Sequence, residues 1–343
     1  MAGERRGIVT GGTWCVDSNR LIDFWPPEDG LAEILSEEVH GGGSACNLAI
    51  DMKQLDPSIP VETIGLIGDD EDGRRLIAEA DTHGVRREQL STTPGARTQA
   101  TDAYTSRQSG RRTHIFSRGA GDLLTPDHFD FARTAGRILH LGLPGVHARM
   151  DSPWADDANG WVGVLRRARA TGLMTNMELA SIPPGLLAAL VRPCLPHLDL
   201  LIVNDSEISA LSGKAAVADG RTDIAACIGG AQQVLAMGAM GFVVVHFPLG
   251  AVVVSRDGAV MTKPSVCVPQ SMVAGANGAG DAFAAGFLYG VHEGWSMPAS
   301  LALAHATAAT SLRSVATTGA VEPWQECLRL AETWGWRKEA GTR

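Results

Sequence analysis

The feature of this sequence that most constrains its fold is a regular alternation of short apolar runs and amphipathic stretches. Runs with the length and composition of β-strands occupy residues 7–12, 61–67, 137–141, 173–178, 198–203 and 242–247. Each run is followed, directly or after a loop, by a stretch with helical spacing, except the last, which a second strand follows. This alternation predicts an α/β fold with a mostly parallel central sheet between two layers of helices, a three-layer α/β/α sandwich.

Two of the helical stretches are especially clear. Residues 70–83 have helical spacing and are followed by Gly84, a residue type that commonly ends a helix. Residues 44–55 carry apolar side chains that recur at intervals of three and four, at Ala45, Leu48, Ala49, Met52 and Leu55.

Two other regions depart from the alternation. Residues 98–106 and 112–117 are polar, alternating strands around a Q-S-G turn, which predicts a hairpin outside the main sheet. Residues 17–40 are poorly helical and contain Pro26, Pro27 and Gly30. Together these regions predict a small β lid. We expect one domain over residues 1–330, with lid segments at about 13–40 and 97–118, and a C-terminal tail over 331–343.

Composition excludes several functional classes. The formal net charge is −9 and no long basic run occurs, so we expect no nucleic-acid partner and no anionic membrane partner. The most apolar stretch, residues 241–254, is interrupted by His246, Pro248 and Gly250 and is too short to span a bilayer. Residues 1–12 lack the apolar run of a signal peptide, and six scattered cysteines form no C-x-x-C pair. These features predict a cytoplasmic protein.

The strongest chemical signal is the segment N-G-A-G-D-A-F at residues 277–283, which opens an apolar helix predicted over 281–291. A helix start exposes unpaired N–H groups and a partial positive charge, and glycines let a phosphate approach the backbone. Asp281 would then stand beside this anion hole, where a carboxylate can accept a hydroxyl proton during phosphoryl transfer. The alternative for an isolated G-x-G-D is a glycine-rich turn in which Asp281 only caps the helix.

Two further segments favour the chemical interpretation. G-G-G-S-A-C-N at residues 41–47 leads into the first amphipathic helix, and N-D-S-E at 204–207 follows a buried strand. No P-loop, zinc-protease or esterase motif occurs in the sequence.

With these segments in this order, the sequence resembles the PfkB/ribokinase family of carbohydrate kinases over nearly its whole length. The G-A-G-D-A-F segment is the most specific part of the resemblance, and the G-G-x-x-x-x-N segment is a weaker part. The G-L-I-G-D-D segment at residues 65–70, followed by Gly73, is similar to the second strand-to-helix junction of the family. The resemblance implies a ribokinase-like fold and ATP-dependent phosphorylation of a hydroxyl group on a sugar or sugar-like small molecule.

The resemblance also implies a role for individual residues. It makes Asp281 the catalytic base, with an anion hole formed by Gly278, Ala279 and Gly280. It assigns acceptor binding to Asp17, Gly42, Gly43 and Asn47. It assigns nucleotide binding to Asn204, Glu207, Gly250 and His305. Glu207 would organise Mg²⁺ through water, since magnesium usually keeps several waters.

Simpler interpretations of three of these residues stay open. Asp17 can be a surface turn residue, and Asn204 can cap the helix predicted over 205–211, a role compatible with nucleotide binding. His305 lies in an alanine-rich helix, where a packed histidine is common.

The sequence departs from the family pattern in three places. Gly275, Ala276 and Asn277 stand where members usually carry Asp-Thr-Thr or Asp-Thr-Asn, which argues against a bound monovalent cation. Phe247 and Pro248 stand where members commonly have a glycine after the strand that leads into the nucleotide site. Cys15 stands where ribokinase itself has an asparagine. Two alternatives therefore stay open: a nucleoside kinase on the same fold, and a sugar-binding paralogue without catalysis. The resemblance also implies a homodimer through the lid.

Overall fold

A computed structural model describes residues 5–340 of the chain. Residues 1–4 and 341–343, at the outer ends of the predicted domain and tail, lie outside the described residues. In chain order the strands are β1 (Ile8–Gly12), β2 (Cys15–Ile22), β3 (Ile34–Gly42), β4 (Val61–Gly68), β5 (Arg86–Thr93), β6 (Ala100–Ser106), β7 (Arg112–Ser117), β8 (Ile138–Gly142), β9 (Met174–Met177), β10 (Leu200–Asn204), β11 (Val217–Ala218), β12 (Arg221–Thr222), β13 (Phe242–Phe247), β14 (Gly250–Ser255) and β15 (Val260–Pro264). The α-helices are α1 (Ser44–Leu55), α2 (Glu71–Thr82), α3 (Ala148–Asp151), α4 (Gly160–Ala170), α5 (Pro184–Val191), α6 (Asp205–Ser212), α7 (Ile224–Met237), α8 (Ala279–His292), α9 (Met297–Ser311) and α10 (Trp324–Trp334).

The central sheet consists of two halves that adjoin at β9 and β10. The first half has the strand order β5-β4-β1-β8-β9, with every pair parallel. The second has the order β10-β13-β14-β15, in which only β10 and β13 are parallel. The N–H of Asp199, just before β10, donates to the carbonyl of Thr175 on β9 at 3.0 Å, so the sheet continues across this junction. The predicted mostly parallel sheet is confirmed.

Helices cover both faces of this sheet. On one face, buried side chains of α1, α8 and α9 pack with Ile8 and Val244 of the strands. On the other face, α4, α5, α6 and α7 pack with Val9 and Val245. Adjacent strand residues such as Ile8 and Val9 face opposite layers because side chains alternate along a strand. The predicted three-layer α/β/α architecture is confirmed.

A second sheet, which we call the small sheet, stands apart from the central one and has the strand order β3-β2-β6-β7. Its β6–β7 hairpin lies where the alternating pattern predicts one, and β2 and β3 come from the poorly helical stretch over 17–40. The β2–β6 pairing is parallel and joins these two distant parts of the chain. Trp14, between β1 and β2, is buried and donates to Thr63 Oγ1 at 2.8 Å, which anchors the small sheet to the core. Its role as a lid stays a prediction.

Helix α10 continues past residue 330. Ala340 packs against the buried residues on the face of the sheet that carries Val9 and Val245. The boundary between the domain and its tail stays a prediction. Within residues 5–340, no helix combines the length and the apolar character needed to cross a bilayer.

The core under α8 should be sensitive to truncation. Leu288 on α8 is fully buried, whereas Leu31, between β2 and β3, is 90% exposed. We predict that Leu288→Ala lowers the free energy of unfolding by about 2–5 kcal/mol, because it leaves a cavity. The matched change Leu31→Ala should alter it by no more than about 0.5 kcal/mol. Urea denaturation of both variants measures the difference, and equal effects would contradict the described packing.

Candidate active site

Polar side chains meet where the strands of the central sheet end. Asn204 is the last residue of β10, and it lies beside His246 of β13 in the parallel register. Glu178 directly follows β9, and its N–H donates to the carbonyl of Leu141 on β8 at 2.9 Å. Open α/β sheets bind ligands outside the carboxyl ends of their strands, so this edge is where a site is expected.

Helix α8 begins at this edge with an N-terminus that has no side-chain cap. Its N-cap residue, Gly278, has a φ of 74° and a ψ of 0°, a left-handed conformation that favours glycine. A Cβ on Gly278 would overlap the carbonyl of Thr317. The N–H of Ala282 donates to the Gly278 carbonyl at 2.8 Å, so the N–H groups of residues 279–281 have no acceptor within the helix. With the helix dipole, these groups can bind an anion.

Asp281 lies in the first turn of α8 and is held by a residue from α1. Asn47 Nδ2 donates to Asp281 Oδ2 at 2.9 Å, and Asn47 Oδ1 accepts from Thr317 Oγ1 at 3.0 Å. Burial raises the pKa of Asp281 to about 6, the hydrogen bond from Asn47 opposes this rise, and the charge of Asp17 adds to it. The structure thus places Asn47 on the predicted base, whereas the resemblance implied only a contact with the acceptor.

Asp17 on β2 lies against the glycine run that precedes α1. A Cβ on Gly42 would overlap the Asp17 carboxylate, so this close approach requires glycine. Gly43 has a φ of 89°, and a Cβ there would lie 2.6 Å from the carbonyl of Thr13. Burial raises the pKa of Asp17 to about 6, even though the hydrogen bond from the Cys15 thiol opposes this rise. The residues predicted to bind the acceptor substrate therefore lie together. The carboxylates of Asp17 and Asp281 are close enough for their charges to interact.

A cavity of about 850 Å³ opens beside the start of α8. Its volume lies in the range typical of small-molecule sites. It is lined by five of the residues to which the resemblance assigns a role, Asn204, Glu207, Ala279, Gly280 and His305. Phe247 also lines the cavity and is 5% exposed, so its ring forms part of the wall. Gly250 does not line it, and a Cβ there would instead approach Ala340.

Two histidines and a phenylalanine form one wall of this cavity. The ring of His246 stacks on Phe283 at a centroid distance of 4.9 Å, and His305 meets Phe283 edge-on at 5.1 Å. Burial lowers the pKa of His246 to about 4 and that of His305 to about 3, so both rings are neutral at pH 7. His305 is therefore a packed histidine that also lines the cavity, and its buried Nε2 has no partner within residues 5–340.

Asn204 and Glu207 cap helix α6 reciprocally. The N–H of Glu207 donates to Asn204 Oδ1 at 2.9 Å, and the N–H of Asn204 donates to Glu207 Oε2 at 2.9 Å. The capping role of Asn204 is thus present in the structure. Burial raises the pKa of Glu207 to about 7, while the bonds from Asn204 oppose this rise.

Glu178 is a site residue that the sequence analysis did not single out. Burial, followed by the charges of Asp281 and Glu207, raises the pKa of Glu178 well above its usual value. Its buried Oε2 has no hydrogen-bond partner in the described part of the chain and lies 3.7 Å from His140 Nε2. The available signal was its position as the last residue of a predicted parallel strand, where a carboxylate enters the site.

The carboxylates at this edge fit a divalent cation. Burial, with a smaller contribution from the charge of Asp281, raises the pKa of both Glu178 and Glu207, and a bound cation would favour their ionised forms. Over residues 5–340, no three His, Cys, Asp or Glu side chains are arranged to hold a metal by themselves. Phosphate oxygens and water would therefore supply most of the ligands, as is usual for Mg²⁺.

An uncapped helix N-terminus, an oriented carboxylate and an adjacent cavity on an α/β/α fold define the class of protein, a small-molecule kinase. Residues 14–324 match the model of the pfkB family carbohydrate kinases. The chain therefore belongs to the PfkB family, and its reaction is the ATP-dependent phosphorylation of a sugar-like compound.

Individual relatives agree with this family. An adenosine kinase from Saccharomyces cerevisiae is 27% identical over 292 residues, which cover 84% of this chain and 82% of the relative. A fructokinase from Solanum tuberosum is 37% identical over 128 residues, 36% of this chain and 39% of the relative. The solved structure of Arabidopsis thaliana ribokinase with ribose and ATP has a TM-score of 0.77 at 19% identity, covering 96% of this chain and 99% of that one.

The bond between Asn47 and Asp281 should be visible in the pH dependence of activity. A carboxylate accepts a proton only in its ionised form, so with Asp281 as the predicted base kcat/KM should rise with pH through a pKa of about 6. Asn47 stabilises the ionised form, and Asn47→Ala should therefore move this acidic limb to higher pH and lower kcat/KM at pH 6 by about tenfold or more. Steady-state kinetics from pH 5 to 9 measures both effects.

Thr317→Val is the control for this prediction, because it removes a hydroxyl that touches Asn47 and leaves the Asn47–Asp281 bond in place. Its acidic limb should stay at the wild-type position. An acidic limb that does not move in Asn47→Ala would rule out the orienting role of Asn47.

Proposed function

We propose that Asp281 is the general base that activates an acceptor hydroxyl for attack on the γ-phosphoryl group of ATP. The observation that carries this proposal is the position of Asp281, which is held by Asn47 in the first turn of an uncapped helix beside a nucleotide-sized cavity. A base with a pKa of about 6 is ionised at pH 7 and is still basic enough to accept a proton as the new bond forms.

The backbone at the start of α8 supports the same reaction. The N–H groups of residues 279–281, at the uncapped start of the helix, would face the position where negative charge spreads over the transferring group. They are fixed in place before the reaction, because Gly278 is packed on the carbonyl of Thr317. The proton of the acceptor hydroxyl moves to Asp281, while Asp17 accepts hydrogen bonds from other hydroxyls and orients the acceptor.

We place the nucleotide in the cavity, with its base near the wall of His246, Phe283 and His305. Neutral, stacked aromatic rings suit a planar base, and the orphaned Nε2 of His305 offers it a hydrogen bond. The phosphates would then run toward Ala279 and Gly280, which line the same cavity.

Glu178 and Glu207 are the residues that would hold Mg²⁺, chiefly through water. The ion would shield the negative charge of the ATP phosphates from the surrounding carboxylates. The buried, unpartnered Oε2 of Glu178 and the raised pKa of Glu207 support this assignment.

The acceptor is a sugar or a nucleoside, and the small sheet would cover it as a lid that excludes water. The adenosine kinase match over most of the chain favours the nucleoside, while the fructokinase match covers a smaller part. Thermal shifts with adenosine, ribose and fructose separate the two, since a ligand raises the melting temperature of the state it binds. The homodimer stays a prediction, and exposed apolar residues of the small sheet, Ile34 and Ile115, would lie in its interface.

Replacing the base should abolish turnover. We predict that Asp281→Asn lowers kcat by at least about 1,000-fold, because an amide cannot accept the hydroxyl proton. The variant should melt a few degrees above the wild type at pH 7 without ligand, since it removes a carboxylate that burial makes costly to ionise. This gain should shrink as the pH falls below about 6, where the wild-type carboxylate becomes protonated.

ADP release and thermal melting measure the two effects. Asp127→Asn makes the same change at an exposed position and should leave both unchanged. Near-normal ADP release by Asp281→Asn would refute the base assignment. Failure of the wild type to release ADP with any sugar or nucleoside would instead favour the non-catalytic paralogue.

The metal assignment predicts a specific defect. Glu178→Gln keeps the shape of the side chain and removes its charge, so the Mg²⁺ concentration required for half-maximal activity should rise by about tenfold. Glu37→Gln, on an exposed part of the small sheet, is the matched control and should leave the Mg²⁺ requirement unchanged. An unchanged Mg²⁺ requirement in Glu178→Gln would exclude Glu178 from the metal site.

A further inference from the structure

One face of the small sheet carries Asp17 and also a cation, Arg112, that forms no ion pair within residues 5–340. Asp17 pairs with Thr101 of β6, and Arg112 of β7 pairs with Thr105 of the same strand. Thr101 and Thr105 are four residues apart, so their side chains point to the same side of the sheet. Cross-strand partners share a face, and Asp17 and Arg112 therefore lie on this side together. We call it the inner face.

Arg112 is half-buried on the inner face. Its Nε donates to Thr105 Oγ1 at 3.1 Å, and this hydrogen bond fixes the position of the guanidinium group. Within residues 5–340 its two terminal nitrogens have neither a hydrogen bond nor an ion pair within 4.0 Å. Asp17 is close enough for its charge to be felt at Arg112, but its carboxylate is engaged by Cys15 and pressed against Gly42. A partly buried guanidinium in this state favours an external anion.

A second donor on the inner face is also unsatisfied. Asn19 pairs with Ala103, which lies between Thr101 and Thr105 on β6 and shares their face. Asn19 Oδ1 accepts from Asn277 Nδ2 at 3.4 Å, which places Asn19 against the loop before α8. Its Nδ2 is buried and has no hydrogen-bond partner in the described chain.

These donors lie on the acceptor side of the site. Arg112 Nη2 is 3.6 Å from the position of a Cβ on Gly275, in the loop that leads to the anion hole. Neither Arg112 nor Asn19 lines the cavity assigned to the nucleotide. Both instead share a face with Asp17, the residue assigned to the acceptor hydroxyls.

We propose that the acceptor carries an oxyanion group, a phosphate or a carboxylate, which Arg112 and Asn19 bind while Asp17 binds hydroxyls. The proposal rests on the kinase function of this site and, against the neutral nucleoside that the adenosine kinase match favours, narrows its substrate to an acidic sugar or sugar phosphate. A neutral acceptor would offer Arg112 only hydroxyl oxygens and would leave its positive charge uncompensated. A bidentate guanidinium matches the geometry of phosphate or carboxylate, and this gives the small sheet a means of selecting its ligand.

Binding measured without any nucleotide tests this proposal independently of catalysis. The probes are matched pairs: ribose and ribose 5-phosphate, fructose and fructose 6-phosphate, and glucose and gluconate. We expect an acidic member to bind at least about tenfold more tightly than its neutral counterpart, as a charge-assisted hydrogen bond would give. Arg112→Gln should remove this preference, and Asn19→Leu should reduce it. Isothermal titration calorimetry provides the dissociation constants.

Arg111→Gln is the matched control, because it removes the same charge from an exposed position on the same hairpin. It should keep the preference for the acidic probes. The γ-phosphate of ATP is the other source of an oxyanion, so binding of a non-hydrolysable ATP analogue is measured for each variant. The proposal is overturned if no acidic probe binds more tightly than its neutral counterpart. It is also overturned if Arg112→Gln weakens binding of the ATP analogue and leaves binding of the acidic probes unchanged.

Discussion

The uncapped N-terminus of α8 is the constraint on which the rest of the site depends. Its first N–H groups have no acceptor in the helix, and Gly278 is held in a left-handed conformation against the Thr317 carbonyl. The side chain of Thr317 also donates through Oγ1 to Asn47, and Asn47 in turn orients Asp281. The glycine run before α1 places Asn47 and leaves room for the Asp17 carboxylate. The proposed anion hole, the proposed base and the proposed acceptor site therefore depend on one another through a few short contacts.

The electrostatics of this edge oppose the stability of the free protein. Burial raises the pKa values of Asp17, Asp281 and Glu207, so the folded chain holds carboxylates whose ionised forms would be better solvated after unfolding. A nucleotide with its cation, and an acceptor with hydroxyl groups, would supply the donors and the positive charge that these groups lack. Ligands that relieve the repulsion between these carboxylates would therefore stabilise the folded protein.

Local sequence patterns predict the helices and strands of this fold well. They do not predict contacts between residues that are far apart in the sequence. Helix α1 spans Ser44–Leu55, the residues whose apolar spacing predicts it, because that spacing itself creates the buried face. The family resemblance identified Asp281, but its bond to Asn47 joins residues 234 positions apart, and no local pattern encodes such a contact. The sequence could not indicate a binding role for Arg112 for the same reason. Only the register of β6 with β7 and with β2 places Arg112 on the same face of the small sheet as Asp17.

The parallel pairing of β2 with β6 has a consequence for how this protein can change over evolution. The small sheet is assembled from two insertions in the core, one before α1 and one after β5, and neither can complete its hydrogen bonds without the other. A recombination event that exchanged only one insertion with a relative would leave unpaired strand edges facing solvent. New acceptor preferences should therefore be inherited as a unit from both insertions, or arise by single substitutions on the existing sheet.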